Sequence, residues 1–165
     1  MSQPFDPRAF RDTLGQFCSG VVIATGCENS QPAGLAAQSF SSLSLDPPLV
    51  LICPAKTSTS WPKIRASRAF CINILGDDQK RVCDVFAKSG IDKFAEFNWR
   101  LGASGSPIIE DVLAYVDCEL VSEYEAGDHI IAVGRVLEAR TLDSSREPLL
   151  FFRGGYGSFD PFSDA

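Results

Sequence analysis

The feature of this chain that most restricts its fold is a series of short apolar runs separated by brief turn-forming segments. From Gly20 onwards the sequence reads VVIATG, GLAAQSF and PPLVLIC, with CENSQPAG between the first two runs. Runs of this length, rich in branched residues and bounded by Gly, Pro, Asn and Ser, are typical of β-strands. FCINIL, LAYVDCELVSEYEA, HIIAVGRVLEAR and PLLFF continue the pattern. Because the alternating strand and helix rhythm of a parallel sheet is missing, the runs predict a closed antiparallel barrel.

Short helices are predicted to decorate this barrel. An Asp-Pro start followed by Phe10, Leu14 and Phe17 at helical spacing predicts a helix over about 7–17. A second helix is predicted to begin near Trp61. The segment GDDQKRVCDVFAKSG has acidic residues first and a lysine last, which is the charge order that a helix dipole favours, and it predicts a third helix.

The length of the chain fits one domain over residues 1–165, and a domain of this size buries roughly 70% of its unfolded surface. The longest apolar run, Leu49 to Cys53, is far shorter than the roughly 20 residues of a membrane-spanning helix. The N-terminus lacks the apolar core and basic flank of a signal peptide, so we expect a cytoplasmic protein.

The irregular stretch 91–107 is long for a connector, and long ordered loops tend to be functional.

Several classes of site are disfavoured by composition. A formal net charge of −6 would repel the backbone of a nucleic acid. The six cysteines form no CxxC pair, and several lie inside apolar runs, so we expect them to be reduced and buried. With a single histidine, a zinc site is not expected. The GxGxxG motif is missing, so a nicotinamide nucleotide would not bind in the Rossmann manner.

Two groups of polar side chains flank the apolar run PPLVLIC. The first group is Gln38, Ser39, Ser41, Ser42 and Ser44, and the second is Lys56, Thr57, Ser58, Thr59 and Ser60. A ligand with a polar-edged ring, a polyhydroxyl chain and a phosphate would use both groups, because each buried polar atom of the ligand needs a partner. The second group also precedes a predicted helix start, where free N–H groups attract anions. The alternative is that these residues only fill turns and cap helices.

The turn Gly127-Asp128 is predicted to join the two longest runs as a hairpin, and the only histidine, His129, follows it. His129 is either a strand-edge residue satisfied by local hydrogen bonds or a group that binds a second substrate at the mouth of the barrel. Tyr156 lies between two glycines. It is either a mobile aromatic that stacks on a base or simply the end of a strand.

The order of these motifs resembles the flavin reductase family, the small split-barrel proteins that serve as reductase components of two-component flavin-dependent monooxygenases. The resemblance runs through FRDTLGQFCSGVVIAT, GLAAQSFSSLSLDPPLVL, KTSTS, FCINIL, DQKRVCDVFA, DKF, GSPII, LAYVDCEL, GDHIIAVGRV and PLLFFRGGY. Each motif alone is weak, but together, in the family's order, they are specific. QFCSG, AAQSFSSLS and CPAKTSTSW are most similar to reductases that serve hydroxylases of phenols, including phenolic steroid breakdown products.

The resemblance implies a mainly β fold with short helices, namely a six-stranded antiparallel split β-barrel of the FMN-binding type, assembled as a homodimer. It implies that FMN or FAD is bound, that NADH is the hydride donor, and that reduced flavin passes to a separate oxygenase. The implied flavin residues are Ala37, Gln38, Ser39 and Ser42 along the ring and ribityl chain, Lys56, Thr57, Ser58 and Ser60 at the phosphate, and Phe86 and Ala87. The implied nicotinamide side is Gly127, Asp128 and His129, with His129 as the candidate catalytic residue, and Tyr156 is the family's C-terminal aromatic. Hydride transfer needs His129 for positioning and not as a base.

Departures from the family pattern leave the choice of flavin open. Ser19 stands where many members carry Thr, and Gln38 replaces an Asn or Ser. The lack of a clear Arg cluster favours NADH over NADPH.

Two other functions also stay open. One is a split-barrel flavoprotein that retains its flavin and reduces another acceptor, such as a quinone or a ferric chelate, and the other is a non-catalytic flavin-binding or redox-sensing module.

Overall fold

The computed structural model describes residues 5–162, so the ends of the predicted domain 1–165 lie outside the described part. The helices are α1 (Pro7–Leu14), α2 (Trp61–Ala66) and α3 (Lys80–Phe86), with a 3₁₀ turn at Asp77–Gln79 before α3. The strands are β1 (Ser19–Gly20), β2 (Val22–Glu28), β3 (Gln31–Ala37), β4 (Ser41–Leu45), β5 (Pro48–Ile52), β6 (Ala69–Ile74), β7 (Trp99–Leu101), β8 (Pro107–Ile109), β9 (Ala114–Ala126), β10 (His129–Thr141), β11 (Leu150–Phe152) and β12 (Gly155–Gly157). The fold is mainly β with short helices, as the sequence predicts.

The main sheet is antiparallel and has the strand order β3-β2-β6-β9-β10-β5-β4. If it were flat, its edge strands β3 and β4 would lie about 29 Å apart. The chain passes directly from Ala37 at the end of β3 to Ser41 at the start of β4, a step that spans at most about 14 Å. The sheet must therefore curl until its two edges approach each other at this corner.

The curled sheet differs from the predicted barrel in two respects. It contains seven strands where six were predicted. No backbone ladder joins β3 to β4 within residues 5–162, so the closed barrel is not found in the described part. Within residues 5–162, β1-β11-β12 and β7-β8 form two smaller sheets.

The chain around β2 is buried on both faces, which explains its continuous apolar sequence. Val22 and Ala24 belong to one core cluster, whereas Val21 and Ile23 belong to a second, because successive side chains of a strand point to opposite faces. The first cluster includes Ile52, Trp61, Ile64, Phe70 and Ile72, and the second includes Leu75, Val82, Val85, Phe86 and Phe94. The second cluster fixes α3 against the sheet.

The hairpin between β9 and β10 forms where the sequence predicts it. Ala126 pairs with His129, which leaves Gly127 and Asp128 as the turn. Gly127 has a φ of +66°, a conformation that glycine adopts without the steric cost of a Cβ. The hairpin therefore sets the position of His129 at the first residue of β10.

The first helix is shorter than predicted and buries nothing in this chain. Asp6 accepts a hydrogen bond from the backbone N–H of Arg8 at 2.9 Å, and the helix stops at Leu14 instead of continuing to residue 17. Phe10, Leu14 and Phe17 are 48%, 55% and 81% exposed, so the predicted apolar face exists but contacts no core.

The stretch 91–107 is irregular only in part, because it contains the short strand β7, which pairs with β8. Buried polar groups attach the end of the stretch to the sheet. The carboxylate of Asp117, which is fully buried, accepts hydrogen bonds from the backbone N–H of Ser104 at 2.7 Å and from its hydroxyl at 2.5 Å. Asn73 donates to the carbonyl oxygen of Pro107 at 3.3 Å. These contacts hold the end of the segment in place.

The six cysteines are unpaired, and only half of them meet the expectation of burial. Cys71, Cys83 and Cys118 are buried, Cys27 and Cys53 are partly buried, and Cys18 is exposed. Burial raises the pKa of the Cys118 thiol to about 12, with the nearby Asp117 as a smaller cause. The prediction of burial was wrong for Cys18, because it lies between α1 and β1, outside the apolar runs.

Among the helices of residues 5–162, none is both long and apolar enough to cross a bilayer.

Candidate functional site

A cavity of about 670 Å³ opens where the ends of β3 and β5 approach α3, the loop before α2 and the β9-β10 turn. The sequence-predicted residues that line it are Ala37, Gln38, Ser39, Thr57, Ser58, Ser60, Phe86, Ala87, His129 and Tyr156. The structure thus brings together side chains from five separate parts of the sequence. A cavity of this volume is in the usual size range of cofactor sites.

Four predicted residues lie outside the lining. Ser42 is exposed on the edge strand β4. Gly127 and Asp128 form the turn beside His129. Lys56 lies on the loop at the cavity, but its ammonium forms an ion pair with Glu125 of β9. The two polar groups of the sequence are therefore only partly combined in one site.

Ser39 links two segments of the chain that line the cavity. Its hydroxyl accepts a hydrogen bond from the backbone N–H of Cys53 at 2.8 Å and lies 3.4 Å from the carbonyl oxygen of the same residue. This contact joins the chain after β3 to the chain after β5. Gln38, the adjacent residue, accepts a hydrogen bond from the Ser19 hydroxyl through its side-chain oxygen at 3.3 Å.

The loop after β5 is attached to the hairpin turn, which explains why His129 lies at the cavity. The backbone N–H of Lys56 donates to the carbonyl oxygen of Asp128 at 2.9 Å, and the N–H of Ile130 donates to that of Pro54 at 3.0 Å. These bonds continue the pairing of β5 with β10 up to the turn. Two of the predicted regions, far apart in the chain, therefore share one wall.

His129 has a defined orientation. Its Nδ1 lies 2.8 Å from a carboxylate oxygen of Asp128, and since an ionised carboxylate only accepts, Nδ1 carries the proton and donates. The hydrogen bond from His129 is the largest cause of a lowered pKa of Asp128, which keeps this carboxyl ionised. The second ring nitrogen, Nε2, is left to interact with a ligand.

The serines of the second polar group have separate structural roles. The hydroxyl of Ser58 accepts a hydrogen bond from the backbone N–H of Trp61 at 3.1 Å and thereby occupies one of the free donors of α2. Ser60 is the N-cap residue of α2 but makes no side-chain capping bond. Since α2 has only six residues and one of its N-terminal donors is used, the expectation that its N–H groups hold an anion is not supported.

Sequence reasoning missed Lys93, whose ammonium reaches into the cavity wall. Its Nζ donates to the carbonyl oxygens of Gly34 and Phe86, each at 2.9 Å, and to the hydroxyl of Ser60 at 3.1 Å. Burial, and to a smaller extent the charge of Lys63, lowers the pKa of Lys93. The sequence signal that could have identified Lys93 is the DKF motif, in which this lysine directly precedes Phe94, an aromatic residue that is buried.

Other lining residues, unlike Lys93, carried no sequence signal. They include Val21 and Leu35 on the apolar side and Cys83, Lys88 and Ser89 near the end of α3. Cys83, Lys88 and Ser89 lie at the cavity because α3 packs against β3, and local patterns do not encode this packing.

Tyr156 closes one side of the cavity. Its hydroxyl lies 3.4 Å from the sulfur of Cys83, and its ring meets the ring of Phe151 edge to face at 5.2 Å. The hydrogen bond with Cys83 is the largest cause that raises the pKa of Tyr156 to about 12, followed by burial. The phenol therefore remains protonated and neutral at the cavity.

The charge of the cavity is opposite to that of the chain. The protein has 21 Asp and Glu residues and a formal net charge of −6. No carboxylate occurs among the described residues that line the cavity, whereas Lys88, Lys93 and His129 do. An anionic group would therefore meet no direct repulsion from the walls, and it would be attracted by two ammonium groups.

A comparison with protein families decides the class of this site. Residues 14–160 match the family model described as a flavin reductase like domain. The chain belongs to the flavin reductase family. The reductase subunit HsaB of a flavin-dependent monooxygenase from Mycobacterium tuberculosis is 47% identical over 162 residues, which cover 98% of this chain and 87% of that protein.

Solved structures of flavin reductase family relatives agree in fold. Nitrilotriacetate monooxygenase component B from Mycobacterium thermoresistibile matches with a TM-score of 0.91 at 45% identity, over 96% of this chain and 89% of that chain. The NADH:FAD oxidoreductase SgcE6 of Streptomyces globisporus C-1027 matches with a TM-score of 0.88 at 35% identity, over 98% of each chain.

For a flavin reductase, the group to test against the cavity is a flavin. Val21, Leu35 and Phe86 offer an apolar surface to a ring system, and the hydroxyls and amides of both polar groups offer donors and acceptors to its edge and side chain. Lysine ammonium groups offer positive charge to a phosphate. The residues present therefore fit a flavin.

Proposed function

We propose that this chain is an NADH-dependent flavin reductase that transfers hydride from the nicotinamide nucleotide to FMN or FAD and supplies the reduced flavin to a separate monooxygenase. The observation that carries the proposal is the lining of the cavity, which combines an apolar wall, hydroxyl and amide groups, and lysines without any carboxylate among the described lining residues. In an acidic member of the flavin reductase family, this combination favours an anionic, ring-bearing ligand.

The two sides of the cavity would divide the flavin between them. Ala37, Gln38 and Ser39 would follow the ring and the ribityl chain, while Phe86 and Ala87 would contact the ring from the side of α3. Bound in this way, the flavin supplies the electron chemistry as the acceptor of hydride. Protein groups only need to bind and orient the two reactants and to exclude water between them.

The phosphate would lie at the loop before α2. Thr57, Ser58 and Ser60 line the cavity there, and Lys93 donates to Ser60. Lys56 would have to leave its ion pair with Glu125 to reach the phosphate. Ser42 would have to contribute from the exposed edge strand β4.

His129 would orient the nicotinamide nucleotide. Its Nδ1 is occupied by Asp128, so Nε2 can accept a hydrogen bond from the nucleotide. Tyr156 would provide an aromatic surface from the opposite segment, since it also lines the cavity. Neither residue needs to transfer a proton for the hydride to move. NADH is expected over NADPH because the described residues that line the cavity include no Arg cluster for a 2′-phosphate.

If the flavin carries electrons to a separate monooxygenase, it must bind to this protein loosely enough to leave after reduction. The cavity is partly open to solvent, and its lining combines hydroxyl groups with apolar side chains, which is compatible with exchange. By their names, HsaB and nitrilotriacetate monooxygenase component B are parts of monooxygenases. We propose the same division of labour here, with an oxygenase partner in aromatic or steroid catabolism.

Two further features belong to this proposal. We place the curled sheet in the split-barrel class that the family resemblance implies, in a cytoplasmic protein. We also propose a homodimer, because the apolar face of α1, defined by Phe10 and Leu14, is exposed in the single chain together with Phe17, which follows the helix. Burial of such a face in an interface would remove apolar area from water.

The function is tested with purified protein, NADH and either FMN or FAD. We expect many turnovers per protein molecule, followed as loss of NADH absorbance, and accumulation of free reduced flavin under anaerobic conditions. A single turnover or none would exclude the enzyme and favour a flavin-binding or redox-sensing module. Flavin that stays with the protein through gel filtration would favour the other alternative, a retained flavin that reduces another acceptor such as a quinone.

A further inference from the structure

Lys93 connects three parts of the fold at the wall of the cavity. Its acceptors are Gly34 of β3, Phe86 of α3 and Ser60 just before α2, at distances of 2.9, 2.9 and 3.1 Å. A lysine ammonium has three N–H donors. All three are used by these contacts, so Lys93 has no donor left for direct binding of a ligand.

The contact with Lys93 determines what Ser60 can do. The Ser60 hydroxyl accepts from Nζ, so its own O–H must point to another group. Within residues 5–162 no acceptor for this O–H is found, and Ser60 makes no capping bond to α2. The residue is only 8% exposed and lines the cavity. It is therefore an oriented donor that faces the ligand space.

The charge of Lys93 is not balanced by the protein. The ion pairs found in the described residues do not include Lys93, and its three partners are neutral oxygens. Burial and the neighbouring Lys63 lower its pKa, which is the response of an ammonium that lacks an anion. An anionic group next to Ser60 would stabilise the charged form.

We infer that Lys93 is a positioning residue that holds the Ser60 hydroxyl as a donor to the flavin phosphate and thereby makes the protein select phosphorylated flavins over riboflavin. This inference rests on the proposed function. The purely structural alternative is that Lys93 only ties β3, α3 and the α2 loop together. The two roles differ in one respect: a structural tie would affect riboflavin and FMN equally.

The test measures equilibrium binding of FMN and of riboflavin to the oxidised protein, by flavin fluorescence and without NADH. For Lys93→Met we expect FMN binding to weaken about tenfold or more, as for a lost hydrogen bond to a charged group, while riboflavin binding changes less than about threefold. Ser60→Ala should have the same selective effect. The double variant should be no weaker than the worse single variant, because both changes remove one interaction.

Two further variants make the result specific. Lys63→Met removes a nearby lysine charge from an exposed position that does not line the cavity, and it should change FMN binding less than about twofold, since screened surface charges act weakly. Lys93→Arg keeps the charge and several donors and should recover part of the preference for FMN. If Lys93→Met does not fold, the comparison of Lys93→Arg with Ser60→Ala decides in its place.

If the Lys93 variant that folds weakens the binding of FMN and of riboflavin equally, the inference is overturned. Additive effects of the Lys93 and Ser60 substitutions on FMN binding would also overturn it. If the unmodified protein binds neither flavin, the proposed function itself fails. If it binds and reduces flavin but shows the equal effect, only the role of Lys93 fails.

Discussion

Gly34 and Phe86 are so close that no side chain can be placed between them. A Cβ added to Gly34 would lie 2.5 Å from Cε1 and 2.7 Å from Cδ1 of the Phe86 ring. Phe86 is 1% exposed and lines the cavity, and the carbonyl oxygen of Gly34 accepts a hydrogen bond from Lys93. The contact between β3 and the end of α3 therefore sets the position of the apolar wall.

Gly34→Ala should force the Phe86 ring to move. We expect unfolding to become easier by about 1–3 kcal/mol, as for overpacking in a core, and flavin binding to weaken. Gly20→Ala is the matched control, because nothing lies within 4 Å of a Cβ added there, and it should change stability by less than about 0.5 kcal/mol. Denaturant unfolding of both variants measures the difference. Equal stabilities would show that the cavity wall is not set by this contact.

His129→Ala should affect the nucleotide more than the flavin. Loss of one hydrogen bond to an uncharged group of the nucleotide predicts a rise of roughly three- to tenfold in the apparent KM for NADH, with a smaller change for flavin. Steady-state kinetics with each substrate varied in turn provides the measurement. Asp128→Asn keeps an oxygen that can accept from Nδ1 and should have a weaker effect than His129→Ala. Equal increases in both KM values would contradict the placement of His129 on the nicotinamide side.

The parts of the fold that depend on local pattern were predictable. The apolar runs, the hairpin turn at Gly127 and the start of α2 follow from residue type and spacing. The length of α1 was overestimated because Phe17 continues the helical spacing, although the helix has already ended at Leu14. The family resemblance implied six strands, whereas the main sheet has seven, in which the polar segment SSLSL pairs with PPLVLI as β4 and β5.

The site was predictable where its residues are consecutive and not where folding brings distant residues together. Lys56 was assigned to the phosphate because it precedes the hydroxyl-rich loop, but Glu125 on a neighbouring strand forms an ion pair with it. Lys93 lies 33 positions from Ser60 and 59 from Gly34, so no local pattern connects these residues. Such contacts depend on the packing of α3 against β3.

Tyr156 should titrate at unusually high pH. Its hydrogen bond with Cys83 and its partial burial raise its pKa to about 12, from an ordinary value of 10.0. Since the folded-state pKa is the higher one, the protonated phenol favours folding below about pH 10, and this contribution is lost as the pH rises through about 12. The difference between the ultraviolet titrations of the unmodified protein and Tyr156→Phe gives the pKa directly. Cys83→Ala should lower it towards 10, and no change would show that the Cys83 contact is not its cause.

The exposed face of α1 should be the part of the surface that holds two copies together. An isolated helix of eight residues is marginal in water, and α1 buries no residue in the single chain, so a second surface is needed to stabilise it. Leu14→Glu places a charge in the apolar face and should shift the protein from dimer to monomer in analytical ultracentrifugation. Arg8→Glu introduces the same group about 120° around the helix from Leu14 and about 160° from Phe10, and it should leave the dimer intact. A monomeric unmodified protein, or equal dissociation by both variants, would contradict this assignment.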